Sequence, residues 1–393
     1  MENLREVSVA SDHDESQLLG KILCQCFGFP QTEWEDYGSS IGLDNFRLIR
    51  RNKKVAGGLA IYRMGQWFGG RCIPMAGLSA VGIAPEYRGQ GMALELLRET
   101  LKELHAEKVA ISTLYPAVKS LYRRVGYEYG GTRCLWELPL STLKSRPSKL
   151  KLERMKRLEI EALIDVYNQQ VNHTNGCLDR HPFFWKNIIK TAEGEEVYGY
   201  WIGSSSLPQG YVIFQQKGVR GSLSIEIRDW VTLSSDATNC LFSFLASHAS
   251  QVSKCRWYGG AVEPQLMLLA EHHAKLINYE QWMLRIVDIV TALESFAYPV
   301  NLETELHLSV IDDLLTENEG NFVLEVAAGS GQVKRGGRGE FQLKIGSLAP
   351  LYAGLLGPRQ LQQMGWLECT DSALRIAEYL FPTTTSPAMP DFF

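Results

Sequence analysis

Residues 78–94, LSAVGIAPEYRGQGMAL, constrain the fold of this chain more than any other stretch. The run over 79–83 predicts a strand, Pro85 stops it, and a tight turn holding Gly89 and Gly91 opens into a helix over 91–104. That helix is amphipathic. Leu94, Leu97, Leu101 and Leu104 share one face, while Glu95, Arg98, Glu99 and Lys102 face water. A strand feeding a helix through such a turn leaves backbone N–H groups without partners at the positive end of the helix dipole. The pattern therefore predicts an anion site of phosphate or pyrophosphate type. Glycine lets the backbone approach the anion closely, and Arg88 adds charge.

The chain around this segment has 393 residues. At roughly 100–200 residues per domain it should form two or three domains. A hydrophobic fraction of 45% with 21% charged residues rules out wholesale disorder. The net charge of −4 offers no basic excess to displace counterions, so no nucleic acid is expected as partner. No apolar run approaches the ~20 residues of a membrane span. The start, MENLREVSVASDHDESQ, is acidic where a signal peptide would be basic and then apolar, so the expected location is cytoplasmic and no membrane partner is expected. The eight cysteines are scattered and read as core residues, the lone C-x-C at Cys24 and Cys26 lacking a second ligand pair. The histidines form no H-E-x-x-H, and no metal is expected.

Periodicity gives a mixed α/β (α+β) fold in three parts. The first, residues 1–142, reads β-α-(α)-β-β-β-α-β-α-β. A Pro/Ser/Lys stretch, PLSTLKSRPSK, reads as a linker. The second part, 147–290, repeats the order with a period of roughly 140 residues, including a helix over 265–273 and a last strand over 281–290. The third, 291–393, holds two extended segments, 322–327 and 340–345, flanking GSGQVKRGGRG as the tip of one hairpin. Three short helices and an extended tail, PTTTSPAMPDFF, follow. The tail ends in two phenylalanines, which are expected to be buried.

The turn resembles the pyrophosphate motif of the Gcn5-related N-acetyltransferases (GNAT), (Gln/Arg)-x-x-Gly-x-(Gly/Ala), with Arg88, Gly91 and Ala93 at its fixed positions. It departs from a dinucleotide fingerprint in spacing and lacks the acidic ribose-binding residue ~20 residues on. The resemblance implies acetyl-coenzyme A as co-substrate. It would lie along Val81, Gly82 and Ile83, with its pyrophosphate on the amides of Arg88, Gly89, Gln90, Gly91, Met92 and Ala93. A second segment, YPAVKSLYRRVGY over 115–127, resembles the family's short helix, and Tyr122 matches the tyrosine that protonates the departing thiolate. Amine attack on a thioester builds an oxyanion and expels a thiolate, so a nearby O–H lowers the barrier. Tyr127 reads as core. In the second part the matching turn is Thr-Leu-Ser-Ser-Asp-Ala-Thr. It has no glycine, and Asp236 would repel a pyrophosphate, so that part reads as a degenerate GNAT fold without coenzyme.

An active copy, an inactive copy and a small α+β domain together resemble the enhanced intracellular survival (Eis) acetyltransferases, whose last domain is sterol carrier protein-like. WMLRIVDIVTAL over 282–293 and LAPLYAGL near Leu348 support the resemblance. It implies a homo-oligomer, a hexamer, and a tail whose terminal carboxylate, here that of Phe393, acts as general base. It also implies a primary-amine acceptor, aminoglycosides among the candidates, in an acidic pocket. The expected substrate-binding residues are Trp34, Asp36 and Phe392, which is not an acid here, with Glu33 and Glu35 able to supply negative charge. A protein-lysine or peptide acetyltransferase, or a lipid-binding protein acting through the last domain, stay open as alternatives.

Overall fold

The computed structural model describes residues 5–10, 12–191, 195–219, 222–383 and 386–393; the expected extended tail thus falls partly outside them, at 384–385. The first repeat runs β1 (Arg5–Ser8), α1 (His13–Phe27), α2 (Gln31–Ile41), β2 (Phe46–Arg51), β3 (Lys54–Phe68), β4 (Arg71–Ile83), α3 (Met92–Ala106), β5 (Ile111–Leu114), α4 (Lys119–Arg123) and β6 (Glu128–Pro139). The second runs β7 (Leu152–Arg154), α5 (Ile160–Val171), β8 (Leu178–Asp179), α6 (Pro182–Ile189), β9 (Val197–Ser204), β10 (Leu207–Val219), β11 (Ser222–Thr232), α7 (Ser235–Ser247), β12 (Val252–Gly259) and β13 (Lys275–Ile286). The third runs α8 (Ile289–Ser295), β14 (Thr304–Ile311), β15 (Gly320–Ala327), β16 (Ser330–Arg335), β17 (Phe341–Lys344), α9 (Ile345–Ala353), α10 (Pro358–Gln363), β18 (Leu367–Cys369) and α11 (Asp371–Leu380).

These elements form two units. One holds Met1–Gly131, Gln281–Thr384 and Phe392–Phe393; the other holds Thr132–Glu280 and Thr385–Asp391. In the first unit β1 to β5 lie side by side, and β4 and β5 are parallel through Met75↔Ile111, Ala76↔Ser112 and Gly77↔Thr113. The outer neighbour of β5 is β13, antiparallel from Met283↔Leu114 to Ile286↔Ile111. In the second unit residues 134–139 of β6 pair with β12. Each repeat's last strand therefore completes the sheet of the other repeat's elements. The core of the first unit is the predicted leucine face of α3 packed with Ile49, Leu59, Ile61 and Leu78, and Tyr122, Tyr127 and Leu315 belong to it.

Several expectations need correction. PLSTLKSRPSK is no loose linker, because Leu140 and Leu143 lie in the second unit's core and the Arg146 amide donates to Ser243 Oγ at 2.8 Å. The expected helix over 265–273 is only the 3₁₀ turn Pro264–Leu268. The strand expected to reach 290 stops at Ile286, where Asp288 caps α8 by accepting from the Thr291 amide at 2.8 Å. The hairpin is shorter than expected. Part of the presumed tip forms β16, which pairs with β15, while β17 runs parallel to β14. Its basic side chains are held: Lys334 by Glu325, Arg338 by Glu340, and Arg335 by the carbonyls of Glu317 and Glu319. Among the described residues no helix is long and apolar enough to cross a membrane, and no His/Cys/Asp/Glu group has a metal-holding arrangement. Cys134, Cys177, Cys240 and Cys255 are buried as expected, but Cys72 is exposed.

Candidate active site

The ladder between β4 and β5 ends at Gly77↔Thr113, and β4 continues to Ile83 with no further partner on that side among the described residues. On its other edge β4 carries a bulge: Gly58 faces Gly82 but Ala60 faces Ser79, so one extra residue is fitted into β4. Ala80 pays for it with φ +51°, a left-handed backbone that an L-residue adopts only under constraint. Val81, Gly82 and Ile83 thus offer backbone donors and acceptors along an open edge, the geometry that an amide-bearing pantetheine arm requires.

Beyond Ile83 the chain turns through Gly89 (φ +72°) and Gly91 (φ +79°) into α3. A Cβ on Gly89 would meet nothing within 4 Å, so glycine serves the turn's φ and not a close contact there. No side chain caps α3, whose N-cap is Gly91. Its first amides lack intrahelical acceptors, and Arg88 to Gly91 are exposed. Arg88 is anchored by Nε to the Ile83 carbonyl at 3.0 Å and by Nη2 to Cys26 Sγ at 3.2 Å. Two further cations arrive from outside the motif. Arg5 donates to the Gln90 carbonyl at 2.9 Å and pairs with Glu95 at 2.7 Å, and Arg51 bonds the Gln90 side chain. Sequence spacing gave no signal for either, because β1 and β2 bring them in. Three guanidinium groups around uncapped amides make a fitting cradle for a pyrophosphate.

Tyr122 lies on α4, 5% exposed, its ring set edge-on to Tyr127 at 6.0 Å. Its hydroxyl has no hydrogen-bond partner among the described residues and is not sealed from solvent. Burial pushes its pKa up to about 12, so it keeps its proton at neutral pH. The loop after it is fixed by Arg285, which is 0% exposed, donates to the Val125 carbonyl at 2.9 Å and pairs with Asp312 at 2.6 Å. Tyr127 is core, its hydroxyl 2.7 Å from Ser112 Oγ.

The chain end reaches the same strands. A Cβ on Gly77 would come within 2.7 Å of the Phe393 ring, which also packs edge-on to Tyr62 at 6.0 Å and Tyr115 at 5.9 Å. Phe393 therefore sits on β4 at the residue where β5 leaves it. Phe392 packs at a tilt on Tyr115 at 4.7 Å but stays 56% exposed, and Phe393 is half-buried, both against the expectation of burial.

Models of an acetyltransferase (GNAT) domain match residues 6–130 and 176–286, and a sterol carrier protein domain matches 289–390. A crystal structure of a GCN5-related N-acetyltransferase from Anabaena variabilis is 46% identical over 99% of this chain and 100% of its own, with a TM-score of 0.95. The chain belongs to that family. It is an N-acetyltransferase, and acetyl-coenzyme A is the co-substrate of its fold. A GCN5-related N-acetyltransferase from Kribbella flavida shares the fold at 24% identity, covering 100% of this chain and 99% of its own, TM-score 0.86. So does Eis1 from Mycobacterium abscessus at 19%, covering 99% and 100%, TM-score 0.84. The enzyme thus has the Eis-like arrangement of two GNAT domains and a sterol carrier protein domain. No curated protein sequence matches it.

The residues expected to bind the acceptor separate. Trp34 is 1% exposed, packed on Phe46 at 5.2 Å and seated over Gly20, where a Cβ would come within 2.6 Å of its ring. It is a core residue, with no face to offer a substrate. Glu33, Glu35 and Asp36 are exposed on α2. Their neighbour Tyr37 turns inward, and its hydroxyl lies 3.3 Å from Ser79 Oγ beside the β4 bulge.

Proposed function

We propose that the enzyme acetylates primary amines, aminoglycosides among them, by direct transfer within a ternary complex. The observation that carries this reading is the Phe393 ring on Gly77, where β4 and β5 part. When bound, acetyl-coenzyme A supplies an activated acetyl thioester. Val81, Gly82 and Ile83 hold its arm by backbone hydrogen bonds, and a backbone N–H of that strand polarises the thioester carbonyl. Arg88, Gly89, Gln90, Gly91, Met92 and Ala93 hold the pyrophosphate.

The acceptor arrives as an ammonium, whose lysine-like pKa is ~10.4, and must lose a proton before its nitrogen can attack. The Phe393 carboxylate takes that proton, directly or through one water. An α-carboxyl has an ordinary pKa of ~3.5, so it stands unprotonated and ready to accept. As the new C–N bond forms and the C–S bond breaks, Tyr122 donates its hydrogen bond to the departing sulfur. Completed transfer from a phenol at about 12 to a thiolate whose thiol has a pKa of ~8.5 is uphill by about 5 kcal/mol. Hydrogen-bond donation is therefore the larger part of its action. Exposed Asp36, with Glu33 and Glu35, attracts a polycation, and Phe392 on Tyr115 offers an apolar platform for a sugar or alkyl face. A hexamer, implied by resemblance to the Eis acetyltransferases, and a cytoplasmic location complete the proposal.

Amidating Phe393 tests it, because the change removes the charge and keeps both rings. Turnover in a coenzyme-release assay with an aminoglycoside should fall about 10²-fold, with coenzyme affinity unchanged. Full activity of the amidated enzyme from pH 6 to 9 would assign the tail to packing and the base elsewhere.

A further inference from the structure

A cavity of about 410 Å³ borders the loop that follows Tyr122, and no residue of the strand–turn–helix with the coenzyme motif lines it. Its walls are the turn Val125–Tyr127, the loop after β14 and the first turn of α9, with Trp366 at one side. The charges around it do not cancel. Glu128 is neutralised by Arg123 at 2.8 Å, and Asp312 by Arg285 at 2.6 Å. Arg124, Lys344 and Asp313 are exposed and make no ion pair among the described residues, so two cations stand against one carboxylate. The α9 helix adds its positive end, with Lys344 as N-cap and no side-chain cap. A second observation is independent of the helix end. Ser347, 9% exposed, lines the cavity, and its hydroxyl has no hydrogen-bond partner among the described residues. The residue is nine-tenths buried, yet its hydroxyl is not among the sealed polar atoms, so it opens toward the cavity that the residue lines.

We propose that this cavity binds a small oxyanion, a phosphate or a carboxylate, held by Ser347, Lys344 and the first amides of α9, at a site separate from the coenzyme turn. The same pocket wall reaches the reaction. The amides of Val125 and Tyr127 both donate to the Tyr122 carbonyl, at 3.0 and 3.2 Å. An anion that tightens this wall changes how firmly Tyr122 is held, so occupancy should alter turnover as well as stability.

The test uses the full-length enzyme with coenzyme A at saturation, so that the Arg88 turn is already filled. Inorganic phosphate is titrated by calorimetry, and acetate and citrate in parallel tell a phosphate site from a carboxylate site. Saturable binding in the millimolar range or tighter is expected. It should weaken at least tenfold in Lys344→Gln and in Ser347→Val, and stay unchanged in Arg88→Glu measured without coenzyme. Lys344 is exposed, so its substitution leaves folding intact, as a melting curve will check; Ser347→Val is the more demanding variant. Three results would overturn the proposal. One is the absence of saturable binding by any of the three anions. Another is binding indifferent to Lys344→Gln. The third is displacement of phosphate by coenzyme A together with weaker coenzyme binding in Lys344→Gln, which would make the cavity part of the coenzyme site.

Discussion

The two GNAT repeats build the same corner twice and differ in what fills it. In both, a strand leaves its parallel neighbour before it ends: β4 after Gly77↔Thr113, β11 after Glu226↔Arg256. In both, a turn then leads into a helix. The first turn puts glycines at φ +72° and +79° and leaves α3 uncapped. The second caps α7 with Ser234, whose hydroxyl accepts from the Ala237 amide at 3.2 Å. Asp236 adds a carboxylate that accepts from the Lys149 amide at 3.2 Å. The diverging half of β11 carries Asp229, tied to Arg180 at 2.7 Å and to the Tyr211 hydroxyl at 2.6 Å. The second corner thus lacks the uncapped, glycine-lined turn of the first within the same fold. One helix amide is satisfied from within by Ser234, and the carboxylate of Asp236 adds negative charge to the same turn.

The largest expected effect comes from putting the second repeat's chemistry into the first. Arg88→Glu with Gly91→Glu places two carboxylates at the uncapped end of α3. Coenzyme binding by calorimetry should be lost, weakened by at least about 10³-fold. The Glu at position 91 must adopt a left-handed backbone at a cost of ~1–2 kcal/mol, so a lowered but still cooperative melt is expected. Retained micromolar affinity would break the comparison at its centre.

A smaller effect is expected from Tyr122→Phe, which tests the reaction and leaves the anion cradle intact. Turnover should drop about 10²-fold, the usual scale for an acid–base group, with coenzyme affinity unchanged. The stability profile carries a signature as well. Because burial raises the folded phenol to about 12 from an ordinary ~10, the folded state keeps a proton that the unfolded state loses. Stability attached to Tyr122 is fully present below pH 10 and falls between 10 and 12. Urea midpoints measured at pH 9 and 11 should therefore fall less in Tyr122→Phe than in the parent. An equal fall would mean that the phenol is not held in its protonated form by burial.

What the sequence made legible is local, and what it hid is mostly pairing. The leucine spacing of α3, the glycines before it and Tyr122 on a short helix are read from neighbours a few residues apart, and the structure places them so. Acidic neighbours place Trp34 at the acceptor in the sequence, but they belong to a solvated face while the indole turns into the core. The clue was Gly20, in the middle of an amphipathic helix, which leaves room for the indole. Strand order alone puts β6 and β13 in their own repeats, because it says nothing about which sheet a last strand joins. β16 reads as a loop tip because Gly and Lys outweigh one valine in a six-residue strand. Arg5 and Arg51 could not be found at all, being carried to Gln90 by strands that are remote in sequence.

The smallest effect lies in the second repeat and asks whether capping alone keeps coenzyme out. Ser234→Ala removes the α7 cap and should cost ~1 kcal/mol, the usual value for a lost N-cap, seen as a lower urea midpoint with coenzyme affinity in the first repeat unchanged. Ser234→Gly with Asp236→Gly goes further, because it frees the amides and removes the competing carboxylate. Binding stoichiometry should nevertheless stay at one coenzyme per chain. The diverging half of β11 still carries the Asp229–Arg180 pair, and no arginine corresponding to Arg88 stands in TLSSDAT. A second, weaker coenzyme in that variant would mean that two side chains are all that separates an active corner from a silent one. A stoichiometry of one means that the loss is written into the strand as well as the turn.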